Sequence, residues 1–361
     1  MLINKMTEVL KIKYPIIQAP MAGGVTTSEL VAEVSNSGGL GMIGAGYMTP
    51  IQIRNQIREL KTLTSNPFGI NLFVPNEFDV INDDIKSANQ LLNPIREQLN
   101  LPQKDSFEIP EFNNVYETFI EQIKVVIEEN VPICSFTFGI PSEKVISELK
   151  KSDIILMGTA TTVREAVENE KAGIDIVVVQ GSEAGGHRGN FIDDYKVSLV
   201  GSMSLIPQVV DNVSIPVIAA GGIMDGRGLM ASACLGANGV QMGTAFLTCI
   251  ESGTHKVHKD AVMNITEEDT VLTRSFSGKW ARGITNNFIL GMQSNEWYLP
   301  DFPVQNTLTQ DIRKVAASKN NKEFMSLWSG QSSRLAKQQT VKLLIKNIMS
   351  EAEKIKIKIN M

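Results

Sequence analysis

The chain has few of the residues from which disulfide frameworks, metal sites and membrane anchors are built. It contains only three cysteines, Cys134, Cys234 and Cys249, which are too few and too widely spaced for a disulfide framework or a metal site. No stretch approaches the roughly 20 apolar residues that span a bilayer. Segment 1–13 carries charges and lacks an apolar core, so a signal peptide is not expected. The sequence therefore predicts a reduced, cytoplasmic protein without a metal or a membrane span.

The chain also lacks a surplus of positive charge. Its formal net charge is -5, and no basic stripe is visible, so nucleic acid is not expected as a partner. A hydrophobic fraction of 43% is ordinary for a globular protein. The length of 361 residues allows one large α/β domain with insertions, or two domains.

Short apolar segments alternate with helical segments through the first two thirds of the chain. The apolar segments are rich in β-branched residues and are typical of strands buried on both faces. They lie at 15–18, 39–43, 67–74, 131–137, 154–157, 174–179, 215–220 and 239–243. Helices are predicted between them, for example at 27–34, 50–63 and 162–171. Eight βα units predict an α/β fold closed into a (β/α)₈, or TIM, barrel; the alternative, an open doubly wound sheet, usually has about six strands.

Two parts of the chain depart from this alternation. Residues 75–114 follow the third strand and are rich in Pro, Asn, Asp and Gln. This composition predicts an inserted lid or small subdomain over the carboxyl ends of the strands, with a helix near 83–99. Beyond residue 254 the alternation stops. We expect 1–254 to form the barrel and 255–361 to form a helical C-terminal extension on or over it, with helical segments near 322–328 and 333–356.

Gly39, Gly41 and Gly44 match the dinucleotide-binding fingerprint by letter. That fingerprint requires its glycines in the turn between a strand and a helix. Here the glycines lie within a predicted strand, and the next helix starts near Pro50. We therefore reject a dinucleotide site at this position.

Glycines also follow the seventh and eighth predicted strands. Gly221 and Gly222 follow the seventh, while Gly243 and Thr244 follow the eighth. In barrels of this kind the loops after these two strands often bind phosphate through backbone amides, and glycine lets the backbone approach an anion. Simple turns are the alternative. The presence of two such loops at adjacent strand ends favours a phosphate-bearing cofactor.

Polar side chains end several other predicted strands, namely Gln18, Asn71, Ser135 and Gln180. A carboxamide offers both a donor and an acceptor, which suits the edge of an isoalloxazine ring. Taken alone, Gln180 is better explained as a residue that caps a strand. Met21 and Met242 are either ordinary packing residues or contacts to an apolar ring.

A loop with one histidine follows the sixth strand. His187 lies in the glycine-rich segment 180–190, where Gly185 and Gly186 permit close approach of a ligand. We expect His187 to lie over the carboxyl ends of the strands, where an imidazole can transfer protons; a surface histidine is the alternative. His255 and His258 lie in a polar segment and are expected to be solvated.

Six segments together carry a family resemblance: 15–24 (PIIQAPMAGG), 38–41 (GGLG), 66–71 (NPFGIN), 180–189 (QGSEAGGHRG), 219–223 (AAGGI) and 241–244 (QMGT). Over nearly its whole length the chain resembles the nitronate monooxygenases, once called 2-nitropropane dioxygenases. The resemblance implies an FMN-dependent barrel that oxidises alkyl nitronates, such as propionate 3-nitronate, with O₂ to carbonyl compounds and nitrite or nitrate, and so detoxifies them. It implies His187 as the catalytic residue and FMN contacts at Asn71, Gln180, Gly185, Gly222, Gln241, Met242, Gly243 and Thr244.

The FMN-dependent enoyl-acyl-carrier-protein reductases, which use NAD(P)H, share the core 183–187 and form the alternative. Three features favour nitronate oxidation: the insertion 75–114, the turn 138–141 and the segment 277–283. One position departs from the family, because many members carry a second histidine where this chain has Thr137. Lys279 and Arg282 are candidates to attract an anionic substrate, with plain surface placement as the alternative. The resemblance implies a nitronate and O₂ as small-molecule partners and allows a homodimer.

Overall fold

The computed structural model describes residues 4–359, and a closed parallel barrel dominates it. Its eight strands are β1 (Ile16–Gln18), β2 (Gly41–Gly44), β3 (Phe68–Phe73), β4 (Ile133–Thr137), β5 (Ile155–Ala160), β6 (Ile176–Gln180), β8 (Val217–Ala220) and β9 (Gly239–Met242). The short strand β7 (Gly186–His187) belongs to a second sheet. Neighbouring strands pair in the order β1-β9-β8-β6-β5-β4-β3-β2. A parallel bridge between Ile17 and Leu40 closes the ring, with Leu40 N donating to Ile16 O at 2.9 Å. The predicted barrel is confirmed, and each predicted strand overlaps an observed one.

Fifteen α-helices lie within the described residues: α1 (Lys5–Leu10), α2 (Ser28–Asn36), α3 (Pro50–Leu63), α4 (Asn82–Gln98), α5 (Phe112–Glu128), α6 (Glu143–Lys151), α7 (Val163–Lys171), α8 (Ser202–Val210), α9 (Gly226–Cys234), α10 (Thr244–Leu247), α11 (Lys256–Asn264), α12 (Asn287–Met292), α13 (Val304–Leu308), α14 (Gln310–Ser318) and α15 (Val341–Ile359). Capping side chains and proline set where several of these helices begin. At α3, Thr49 and Gln52 form a capping box and Pro50 takes the first helical position. None of these helices has the length and apolar character needed to cross a bilayer.

Each barrel strand turns alternate side chains to the barrel axis and to the outer helices. On β6, Ile176 and Val178 belong to the inner cluster, whereas Val177 and Val179 pack outward. The inner cluster also takes in Met6 and Leu10 from α1. Because a strand has a period of two residues, this parity decides which strand-end side chains face the axis.

The inserted segment 75–114 and the C-terminal extension share one hydrophobic cluster. Leu92 of α4 is fully buried in it together with Phe276 and Phe288 of the extension. Leu247, which follows β9, belongs to this cluster, and Met21, which follows β1, packs against it. The cluster therefore lies at the carboxyl ends of the strands. The predicted helix near 83–99 is confirmed as α4, and it is tied to the extension through a shared core.

The extension differs from its predicted form in three ways. Two antiparallel strands, β10 (Thr270–Thr273) and β11 (Ala281–Ile284), pair with the two-residue strand β7 (Gly186–His187), a small sheet that was not predicted. The helix predicted at 322–328 is only a 3₁₀ turn at Lys322–Phe324. The closing helix starts at Val341 rather than near 333, because the Thr340 hydroxyl accepts Leu343 N and the Glu251 carboxylate accepts Val341 N.

Candidate active site

The predicted site residues meet at a cavity of about 210 Å³ at the carboxyl ends of the barrel strands. Ten of the candidate residues line it: Met21, Asn71, Gln180, Gly185, His187, Gly221, Gly222, Gln241, Gly243 and Thr244. Met242 does not. Its side chain is buried with Val240 in the cluster between the strands and the outer helices, because both residues have the outward parity of β9. Gln241, between them, faces the cavity.

Asn71 is held by two hydroxyl groups on the neighbouring strand. Its Nδ2 donates to Ser135 Oγ at 2.8 Å and to Thr137 Oγ1 at 3.1 Å. Within residues 4–359 its Oδ1 makes no hydrogen bond, so an acceptor remains for a ligand. Gln18, also a candidate, lies elsewhere: its Oε1 accepts Met42 N at 3.0 Å and ties β1 to β2.

Gln180 organises the loop that carries the histidine. Its Nε2 donates to His187 O at 3.0 Å and its Oε1 accepts Gly189 N at 2.8 Å. Arg188, fully buried, donates to the carbonyls of Gly181 at 2.7 Å and Ser198 at 2.7 Å. Buried carbonyl acceptors of this kind fix the path of a loop that has little hydrophobic content. Gln180 still retains one donor and one acceptor position for a ligand.

The glycine loops after β8 and β9 present unpaired backbone donors. Gly221 and Gly222 have φ angles of +109° and +72°, a region that other residues rarely adopt. Within residues 4–359 the amides of Gly222, Gly243 and Thr244 donate no hydrogen bond. Donors left unpaired in a concave site fit an anionic ligand, as the sequence predicted.

A segment that the sequence analysis missed, 328–332, closes this side of the cavity. Gly330 N donates to Thr244 Oγ1 at 3.0 Å, and Gln331 N donates to Glu183 O at 3.0 Å. Gly185 packs against it so closely that a Cβ there would lie 2.5 Å from Gly330 N. Ser332 also lines the cavity. No local pattern marks this segment, since its partners lie far away in the sequence.

His187 sits among aromatic rings at the cavity wall. The ring centroids of Trp328 and Phe138 lie 5.4 Å and 5.9 Å from that of the imidazole. Phe302 completes the enclosure at 6.4 Å. Phe138 has a φ of +74°, an unusual conformation for an aromatic residue, and its carbonyl accepts Asn76 Nδ2 at 2.8 Å. The turn at 138–141 therefore holds an aromatic ring against the histidine.

Burial and nearby positive charge keep His187 neutral. The ring retains some accessible surface, which faces the cavity, but it lies below the protein surface. Desolvation, the largest cause, acts together with the charges of Lys279 and Arg313 to lower the pKa of His187 to about 3. The imidazole is therefore neutral at ordinary pH and has a free lone pair, while its lowered pKa makes it a weaker base than free histidine. The surrounding cations favour a bound anion.

Ser277 fixes the orientation of the imidazole. Ser277 Oγ lies 2.8 Å from His187 Nε2, and its hydroxyl donates to Lys279 O at 3.0 Å. Because that hydrogen is committed, we assign Nε2 as the protonated nitrogen and Nδ1 as the basic one. Within residues 4–359 Nδ1 makes no hydrogen bond.

The other basic candidates divide clearly. Lys279 is near the histidine: its Nζ lies 4.8 Å from the Phe138 ring centroid and donates to Asn190 O at 3.1 Å. Burial lowers the pKa of Lys279 to about 8. Arg282 is buried and donates to Ser182 O at 3.0 Å, so it lines neither this cavity nor the surface.

The expectation that His258 is solvated is wrong, because it is buried, lines the cavity and donates from Nε2 to Trp328 O at 2.9 Å.

Comparison with known proteins assigns the chain to a family. The family model described as nitronate monooxygenase matches residues 4–351. A probable nitronate monooxygenase of Staphylococcus haemolyticus is 53% identical over 353 residues, which cover 97% of each chain. The chain belongs to the nitronate monooxygenase family. Another member of that family, a probable nitronate monooxygenase of Staphylococcus aureus strain Newman, is 52% identical over 98% of each chain.

Solved structures agree with this family assignment and with the barrel. The nitroalkane oxidase of Streptomyces ansochromogenes has a TM-score of 0.90 and 34% identity, covering 98% of this chain and 99% of that one. FabK from Thermotoga maritima has a TM-score of 0.79 and 31% identity, covering 100% of this chain and 99% of that one. Members of the nitronate monooxygenase family are oxidoreductases, so the cavity around His187 is the candidate active site of such an enzyme.

Proposed function

We propose that this chain oxidises alkyl nitronates with O₂, with FMN bound in the cavity and His187 as the catalytic residue. The observation that carries the proposal is the position of a neutral, aromatic-enclosed histidine beside unpaired backbone amides in a member of this family. The products are a carbonyl compound and nitrite or nitrate. Removal of a reactive nitronate is the detoxifying role that this activity supports.

The cavity residues suit FMN by their chemistry. The free amides of Gly222, Gly243 and Thr244 suit its phosphate, and Ser332 adds a hydroxyl at that side. The unpaired Oδ1 of Asn71 suits the donor and acceptor edge of the flavin ring. When bound, FMN supplies the redox chemistry, taking electrons from the nitronate and passing them to O₂.

The chain's own contribution is to bind the substrate and to handle its proton. Lys279 and Arg313 place positive charge near His187, which favours an anionic nitronate over its neutral nitroalkane. If a neutral nitroalkane enters, His187 Nδ1 is the group able to accept its α-proton. Phe138, Phe302 and Trp328 exclude water from the imidazole and thereby strengthen these electrostatic interactions.

The decisive experiment replaces His187 by Asn. We expect kcat/KM for a neutral nitroalkane to fall by about 100-fold to 10,000-fold, the usual contribution of a positioned base, while the oxidised-flavin spectrum persists. His255→Asn is the matched control, because His255 caps α11 outside the cavity through its Nδ1. Unchanged nitroalkane turnover in the His187 variant would reject the base role.

A flavin-dependent enoyl reductase is the competing assignment from sequence. The two differ in their electron donor, because the reductase must oxidise NAD(P)H. On anaerobic mixing with NADPH we expect no rapid bleaching of the flavin, whereas oxygen uptake should start on addition of a nitronate under air. Rapid bleaching without nitronate turnover would favour the reductase.

A further inference from the structure

A second, larger cavity adjoins the one that holds His187. Its volume is about 720 Å³, and it shares Tyr47, Phe73 and Phe138 with the smaller cavity. We call it the outer cavity. None of its lining residues comes from the glycine loops after β8 and β9, so it is separate from the proposed phosphate site. Its walls come from the loop after β2, the inserted segment with α5, the loop after β7 and the extension.

The walls of the outer cavity combine a group of aromatic side chains with polar ones such as Asn114, Thr118 and Gln122. Tyr195 and Trp280 stack with their ring centroids 4.0 Å apart, and Trp297 lies 5.4 Å from Trp280. Val115 of α5 and Phe191 line it as well. The aromatic part of the wall gains free energy when it covers an apolar group.

Charge is distributed unevenly along the outer cavity. Lys279 lies at the end next to Phe138, the residue shared with the His187 cavity. The other lining cation, Arg274, is paired with Asp301 at 2.5 Å. Three more carboxylates line the cavity, Glu77, Asp193 and Asp194, and that of Asp193 is paired with Arg164. One anionic group therefore has Lys279 to meet, whereas a second anionic group would meet the carboxylates of Glu77 and Asp194.

We propose that the outer cavity binds a neutral apolar substituent of the substrate, so that the preferred substrates are nitronates with a long alkyl or an aryl group. Nitronates that end in a carboxylate, such as propionate 3-nitronate, are then disfavoured. This inference rests on the proposed nitronate oxidation. The nitronate group lies at the Lys279 and His187 end, and the substituent extends past Phe138 between the insertion and the aromatic wall.

The test compares three preformed nitronates on the holoenzyme, those of nitroethane, 1-nitrohexane and 6-nitrohexanoate. We expect kcat/KM to rise from ethyl to hexyl by up to about fourfold per buried methylene. The terminal carboxylate should remove most of that gain. Equal values for ethyl and hexyl, or a preference for the carboxylate, overturn the substrate assignment while ethyl turnover upholds the nitronate oxidase. No turnover of any nitronate overturns both.

A pair of lysine variants on α5 tests the location. Val115→Lys places a cation in the outer cavity, whereas Asn113→Lys adds the same charge at an exposed residue of the same helix outside it. We expect Val115→Lys to lower kcat/KM for the hexyl nitronate at least tenfold and to raise it for the carboxylate, with ethyl nitronate little changed. Asn113→Lys should leave the substrate order as in the wild type. The same order in both variants would place the substituent elsewhere, and a folding failure of Val115→Lys leaves the wild-type series to decide.

Discussion

The hydrogen bond between Ser277 and His187 gives the sharpest test of the site. Ser277→Ala removes the hydroxyl that lies 2.8 Å from Nε2 and that also donates to Lys279 O. Without it, nothing commits Nε2 to carry the proton. The tautomer with hydrogen on Nδ1 then becomes populated, and that tautomer cannot accept a substrate proton through Nδ1.

The size of the effect follows from the setting of this bond. Both groups are neutral and Ser277 is buried, so an unpaired Nε2–H costs about 1 to 3 kcal/mol. If that loss appears in the transition state, kcat/KM for a neutral nitroalkane falls roughly 5-fold to 150-fold. A preformed nitronate needs no proton abstraction, so its kcat/KM should fall by much less.

The matched control is Ser275→Ala. Ser275 is equally buried, but its hydroxyl donates to Glu296 at 2.6 Å and does not touch the histidine. The assay measures both substrates for both variants, together with ¹⁵N shifts of the imidazoles, which are tractable because the chain has only 3 histidines. If Ser277→Ala and Ser275→Ala change the two substrates equally and the His187 shifts stay unchanged, Ser277 does not set the tautomer.

Three further predictions follow from the same contacts. Lys279→Met should abolish a decline of kcat/KM for preformed nitronates above about pH 8, because the wild-type ammonium loses its charge as pH rises through that pKa. Gly185→Ala should raise the Kd for FMN, measured by flavin fluorescence, since its Cβ would lie 2.5 Å from Gly330 N; at Gly291 a Cβ meets nothing within 4 Å, so Gly291→Ala should not. Arg96→Met should lower the free energy of unfolding by about 2 to 4 kcal/mol, measured by chemical denaturation. The fully buried guanidinium of Arg96 joins α4 to the extension by donating to the Leu308 carbonyl and the Asp311 carboxylate. An unchanged free energy of unfolding would mean that these contacts do not stabilise α4 against the extension.

The barrel was predictable from sequence because its signals are local. Each strand is a short β-branched run, and residues at the carboxyl ends of parallel strands necessarily gather at one face. That rule predicted that Asn71, Gln180 and Gly222 lie together, whereas Gln241 entered as a site residue through the family resemblance. Parity along β9 was also available in the sequence: Val240 and Met242 share one face, so only Gln241 should have been expected at the cavity.

The rest depends on contacts between residues that are distant in the chain. The pairing of β7 with β11 joins Gly186 to Arg282, and no local pattern in either segment announces it. His258 was expected to be solvated because lysines flank it. Lys259 is itself buried, however, since its ammonium donates to the carbonyls of Cys249 at 2.6 Å and Ser252 at 2.8 Å. Amino-acid composition does not show that a lysine ammonium group will be hydrogen-bonded by carbonyl groups elsewhere in the chain.

The position of α15 has a consequence for biosynthesis. This helix packs against α2 and α9 and buries Leu344, Ile345 and Ile348 with residues of β1 and β9. On the ribosome, β9 is complete at Met242, long before α15 begins at Val341. During that interval the apolar flank shared by the first and last strands of the cylinder lacks the part of its cover that α15 provides. A nascent chain stalled in the extension should thus bind holdase chaperones there, and release them once α15 emerges.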